Sequence, residues 1–365
     1  MVKTIVGLIV FWLGLPLAWA QQIVLRLLPS DLEPLQTEFK INEVIDLRID
    51  KSKIGEVFNA SAVRQPISIQ GNLRDNAIHF YQNLSKSAVA NPKPIEIRIY
   101  EVNLTESFDR TERLWVGEIQ LLVGFFVQGA SNSEHLVDYS GKVSYRRNNF
   151  TMNRVEQVMN RLFYNSIVYF QDWYQSQAAE NRALAKTFRL EIIEPKYPST
   201  TQKRYYDPSR PLTWDDFQEV PNPTSRFNAT IFANFSMQGV SLMESGSVVQ
   251  TLEVEVHMVP RQSWVKEKSD YGLNHEQRHF DLVRIIVNRM IDRLEKMELS
   301  LDWYQATINQ EYLATYREMN RIQEIYDGQT RHGLDREAQA RWNEWIDRGL
   351  AGDWSEIEKA LAIGK

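Results

Sequence analysis

Positions 275–279 read His-Glu-Gln-Arg-His, and the residues beyond them fix the element they must belong to. Val283, Ile286, Val287, Met290, Leu294 and Met297 recur at helical spacing, and their stripe continues the face that carries the two histidines. His275 and His279 are four residues apart, so on one helix they lie one above the other. Both imidazoles then reach a single ion from the inner side of an amphipathic helix. Glu276 sits on the adjoining flank, within reach of a water on that ion.

This HExxH pattern is the short signature of zinc peptidases. Neutral imidazole suits Zn²⁺, and three protein ligands plus a water make a catalytic rather than a structural site. The metal lowers the water's pKa, and Glu276 takes its proton. The alternative is a pair of hydrogen-bonded core histidines with Glu276 as a surface charge.

Two histidines do not close such a site. The HExxHxxGxxH spacing fails, because Phe280, Asp281, Leu282 and Val283 come after His279. A helix expected from about Leu301 to Ile325 offers Glu311, Glu318 and Glu324. The preferred third ligand is His332, in the run from Tyr326 to Gly333. Gly328 and Gly333 are expected to interrupt the helix and let His332 bend back toward the metal. Asp327 could accept a ligand histidine's second N–H, and Tyr326 could donate to the oxyanion of a tetrahedral intermediate. Asp281, two positions past His279, is turned away from the ion by the helix.

The chain has 365 residues, enough for two domains, and its 43% hydrophobic content with 10 Trp and 15 Tyr supports packed cores. A net charge of −5 with no clustered basic stripe argues against a nucleic-acid partner. The absence of cysteine excludes disulfides, thiolate ligands, a cysteine nucleophile and a lipid-anchored mature start. Residues 1–20 read as a signal peptide: Lys3, an apolar run from Ile5 to Leu17, then Ala18-Trp19-Ala20. A secreted or periplasmic protein with no membrane span after cleavage is expected; an uncleaved anchor is the alternative.

The expected fold class is α+β. Residues 21–197 read as an N-terminal α+β domain with a mostly antiparallel sheet. Its strands fall near residues 39–49, 95–99, 114–127, 137–145 and 187–193, and its helices near 72–87 and 155–178. His79 and His135 lie there without a partner at ligand spacing. Residues 198–211, punctuated by Pro198, Pro208 and Pro211, read as a linker. Residues 212–365 form the second domain, a zincin-like arrangement: a β-hairpin from Ala229–Gly239 and Val248–Val259, then the motif helix, then further helices. A strand at the sheet edge beside that helix is expected to receive substrate as an added strand.

Four ordered motifs carry a family resemblance. They are Leu212 to Phe217 (LTWDDF), Ser263 to Lys266 (SWVK), His275 to Asp281 (HEQRHFD), and Tyr326 to Gly333 (YDGQTRHG) with Gln339 and Trp342 beyond it. Together they resemble a family of secreted bacterial proteins catalogued as a domain of unknown function and predicted to be zinc-dependent proteases. The resemblance covers roughly Tyr205 to Gly349. It implies His275 and His279 as ligands, Glu276 as base, and the Tyr-Asp-x-x-Thr-x-His-Gly element as the source of a third ligand. The reading is therefore a secreted or periplasmic zinc peptidase acting on a protein or peptide. In a second reading the zincin-like fold is a non-catalytic scaffold and the first domain docks an envelope partner. In a third, the first domain covers the cleft and holds the enzyme latent.

Overall fold

The computed structural model describes residues 23–148 and 151–362, so the signal-peptide reading of residues 1–20 lies outside the described residues. The chain folds as two compact units, Met1–Gln177 and Ala178–Lys365. Helices and strands are mixed in both, which makes this an α+β protein.

In the first unit the strands Lys93–Asp109, Leu114–Gln128 and Ser133–Arg147 form an antiparallel meander. Ile119, Leu121, Val123 and Phe125 alternate inward and are fully buried, so the period-two pattern sets which face is covered. Helices α1 (Leu73–Leu84) and α2 (Met152–Gln177) pack on this sheet, with Phe170 of α2 stacked on Phe125 at 4.2 Å. The other edge of Lys93–Asp109 is shared by two parallel partners, Phe39–Asp46 and Gly55–Phe58. Most of the sheet's pairing is thus antiparallel, as expected, with shorter parallel pairings added beside the meander. Gly55–Phe58 also pairs antiparallel with Arg64–Ile69 across a short turn, whereas Ile23–Leu25 and Phe39–Asp46 meet their parallel partners after long connections. Gly55 makes the junction with Lys93–Asp109 possible: at φ 145°, a Cβ there would fall 2.0 Å from the Leu104 carbonyl oxygen. His79 is exposed, and His135 bonds Asp138 at 2.8 Å on the surface.

The boundary differs from the expected one. Thr187–Ile193 does not end the first unit; it pairs in parallel with Ser247–Met258 of the second. Its apolar residues Phe188, Leu190 and Ile192 pack on the second unit's core. Nor is 198–211 a free linker. Arg204–Tyr205 pairs with His257–Met258, and buried Arg204 lies 3.5 Å from Asp216. Prolines punctuate this stretch without detaching it.

Ser247–Met258 is the middle of a four-stranded sheet, with Ala233–Glu244 antiparallel along its whole length. Ser245 and Gly246 both take positive φ, the backbone a two-residue hairpin loop requires. Helix α3 (Asp270–Lys296) starts at Ser269, whose side chain accepts the Gly272 N–H at 3.0 Å. It packs between this sheet and α4 (Tyr304–Thr330) and α5 (Arg336–Leu350), with α6 (Ser355–Ala362) beyond. Leu282, Val283, Ile285, Ile286, Val287 and Met290 are fully buried. Burial on both sides of α3 leaves the helix little freedom to shift, which suits it to carry a site. No helix among the described residues is long and apolar enough to cross a membrane.

Candidate metal centre

The first turns of α3 carry His275 and His279 inward, and the last turn of α4 brings Asp327 against them. Asp327 Oδ1 lies 3.3 Å from His275 Nε2 and 3.1 Å from His279 Nε2. Bonds of about 2.0–2.1 Å arranged tetrahedrally put neighbouring ligand atoms about 3.3 Å apart. The carboxylate oxygen therefore stands at about that spacing from each imidazole, all three atoms lie within 4.8 Å of one another, and two imidazoles plus a carboxylate are a donor set that zinc accepts. Among the described residues, no other histidine–carboxylate group converges in this way.

Both rings are held from behind. His275 Nδ1 lies 2.9 Å from Gln339 Oε1 and 3.0 Å from the Tyr326 hydroxyl. Gln339 Nε2 donates to that hydroxyl at 2.7 Å and to Asn343 at 2.9 Å. His279 Nδ1 meets Gln323 Oε1, while Gln323 Nε2 donates to the His279 carbonyl at 3.1 Å. A carbonyl acceptor on each Nδ1 keeps the proton there and leaves Nε2 free to ligate.

The charges suit a cation. Burial pushes the Asp327 carboxyl up, but its bonds with His275 and His279 outweigh this and hold it well below the usual carboxylate range. Burial pulls His279 down, and the adjacent Asp327 more than reverses that. An incoming cation would displace a proton from this cluster. Glu276, 6% exposed, is pushed up by burial, against the pull of both histidines and the Ile231 N–H that reaches Oε2 at 2.9 Å.

The structure thus assembles His275, Glu276 and His279 with Asp327. His332 stands one layer out. Its Nδ1 is 3.4 Å from Asp327 Oδ2, its ring lies against Phe227 at 4.7 Å, and its side chain is 42% exposed. Gly328 does not interrupt α4, which runs to Thr330 and so carries Asp327 to the histidines. The reversal comes afterwards, where Arg331, His332 and Gly333 all take left-handed φ of 53°, 55° and 79°. Gly333 packs so closely on His275 that a Cβ would sit 3.3 Å from its Cγ.

Tyr326 is fully buried and stacks on His275 at 4.9 Å. Its hydroxyl addresses Nδ1, on the far side of the ring from Nε2. The oxyanion-donor role expected of it does not fit this place; the hydroxyl supports the His275 ring instead, kept protonated by burial. Glu311 pairs with Arg293, and Glu318 with Arg289 and Arg293, while Glu324 is exposed. Asp281 faces away from the cluster, as the helix dictates. It accepts from Tyr206 at 3.0 Å, Gln277 at 2.7 Å and Arg278 at 3.1 Å, tying the 205–217 stretch to α3.

Sequence reasoning missed Gln323 as a functional residue and quoted Gln339 only as part of a motif. A neutral amide carries no charge and obeys no ligand spacing, so it leaves no pattern of its own. Compared with known proteins, the chain matches no family model and no curated protein.

Proposed function

We propose that the second unit is a zinc-dependent peptidase, with His275, His279 and Asp327 as ligands and Glu276 as general base. The observation that carries the reading is the convergence of three donor atoms, all within 4.8 Å of one another, with a buried carboxyl on the neighbouring residue. Zinc bound there supplies Lewis acidity, polarising a carbonyl and acidifying a water. Glu276 takes a proton from the attacking water and returns it to the departing amine. Burial raises the proton affinity of Glu276, the tuning that a carboxylate base needs near neutral pH. Gln323, Gln339 and Tyr326 orient the ligands. His332 holds the outer oxygen of Asp327.

The resemblance to secreted bacterial proteins predicted to be zinc-dependent proteases supports the same reading, and export by the segment at 1–20 is part of the proposal. The rival is a non-catalytic envelope scaffold. It draws on the first unit, where no metal-binding cluster occurs among the described residues. Zinc analysis and digestion of an unstructured protein such as casein separate the two. One zinc per chain is expected, with cleavage that Glu276→Gln abolishes while zinc stays bound. A wild-type chain that takes up no zinc, or cleavage undiminished in Glu276→Gln, would sink the proposal.

A further inference from the structure

The peptidase reading leaves the Ser263-Trp264-Val265-Lys266 motif without a task. We infer that this segment is a backbone clamp that fixes the Glu276 carboxylate, committing Oε2 to an amide and leaving Oε1 to carry the proton. The inference rests on Glu276 being the base of the proposed site.

The geometry runs from the carboxylate outward. Ile231 donates its N–H to Glu276 Oε2 at 2.9 Å, and among the described residues this is the one hydrogen bond the carboxylate accepts. An unrestrained carboxylate turns about its terminal torsion and presents either oxygen. A short bond from an N–H to a charged oxygen selects one of them and sets the plane of the group. That selection is only as good as the placement of the amide, and Ile231 is held on both sides.

Before it, the strand Ala229–Thr230 pairs antiparallel with Trp264–Val265. Lys266 N–H donates to the Asn228 carbonyl at 2.6 Å. After it, the Phe232 N–H donates to Ser263 Oγ at 2.9 Å, and that hydroxyl donates in turn to the Val259 carbonyl at 2.9 Å. Val259 N–H closes the loop on the Phe232 carbonyl at 2.9 Å. Ser263 is fully buried, and a hydroxyl is the small group that both accepts and donates there. In the reaction Oε1 gains the water's proton and loses it to the amine, while the Ile231 bond to Oε2 persists throughout. Ser263 and Ile231 are positioning residues; neither touches the reacting atoms.

Residue-resolved amide hydrogen exchange on the metal-free full chain tests the clamp without reference to activity. Glu276→Ala should speed exchange of the Ile231 amide roughly tenfold or more, leaving Phe232 at its wild-type rate. Ser263→Ala should speed Phe232 and Ile231 together, and Ser263→Thr should restore both. In the zinc-loaded chain, Ser263→Ala should lower kcat by roughly tenfold with KM and zinc stoichiometry unchanged. An Ile231 amide indifferent to Glu276→Ala, or a wild-type kcat in Ser263→Ala, overturns the inference. A wild-type chain without peptidase activity would remove the peptidase reading while the exchange measurement still decides the clamp.

Discussion

Asp327 and His332 are five residues apart, and the chemistry differs according to which one ligates. Asp327 Oδ1 belongs to the converging set, whereas His332 reaches only the other oxygen of the same carboxylate. Removing Asp327 deletes a proposed ligand and the carboxylate that bridges the two imidazoles. Removing His332 deletes one contact behind that ligand, the kind of loss that costs roughly 10–100-fold in metal affinity. Chelator competition should therefore rank Asp327→Ala well beyond about 100-fold weaker for zinc, and His332→Ala near the bottom of that range. Equal losses would put His332 in the coordination sphere. His275, Glu276 and His279 are legible in sequence because a helix fixes their relation locally. The third place is not, since it depends on where α4 stops. Both glycines in Tyr326–Gly333 look like breakers, yet Gly328 stays helical and only Gly333 sits in the turn.

That turn is the element that closes the site. Arg331 and His332 hold left-handed backbone without being glycine, each at a cost of order 1 kcal/mol. The costs are offset by the His332 N–H on the Asp327 carbonyl at 2.8 Å, the Tyr271 hydroxyl on the Gly333 carbonyl at 2.7 Å, and the Asp335 N–H on the Thr330 carbonyl at 2.9 Å. Gly333→Ala adds strain at φ 79° and presses a methyl on the His275 ring, which cannot yield because Gln339 and Tyr326 back it. A loss of about 1–2 kcal/mol in the second unit's stability is expected, together with weaker zinc binding. Urea unfolding and zinc titration of the variant measure both, and an unchanged midpoint would show that the ring moves aside. Elements of this sort are half-legible. Thr187–Ile193 alternates as a strand should, but alternation names no partner, and its partner proved to be Ser247–Met258, some 60 residues on in the register Thr187 to Ser247.

Across the whole molecule, two units with separate cores should unfold in two steps, so a change confined to one unit should move one transition. Composition and length made two domains legible. They misplaced the boundary, because prolines mark turns whether or not the chain detaches there. Acid provides a test on the second unit. His257 lies in its central strand, 7% exposed, with Nδ1 buried and unpaired. Burial first, and then Lys203, pull its pKa from 6.5 to about 4. Above pH 6.5 both folded and unfolded chains hold it neutral, and its buried form costs nothing extra. As pH falls from 6.5 toward 4, the unfolded chain binds a proton that the folded unit refuses, so stability drops. At about 1.4 kcal/mol per pKa unit, the loss accumulates to about 3 kcal/mol by pH 4. His257→Gln, which cannot take up the proton, should flatten the pH dependence of the second unit's urea midpoint over that window by a comparable amount. It should leave the first unit's midpoint alone at every pH. Parallel acid slopes in the wild type and the variant would mean that His257 charges in place, and that the acid sensitivity of this unit arises elsewhere.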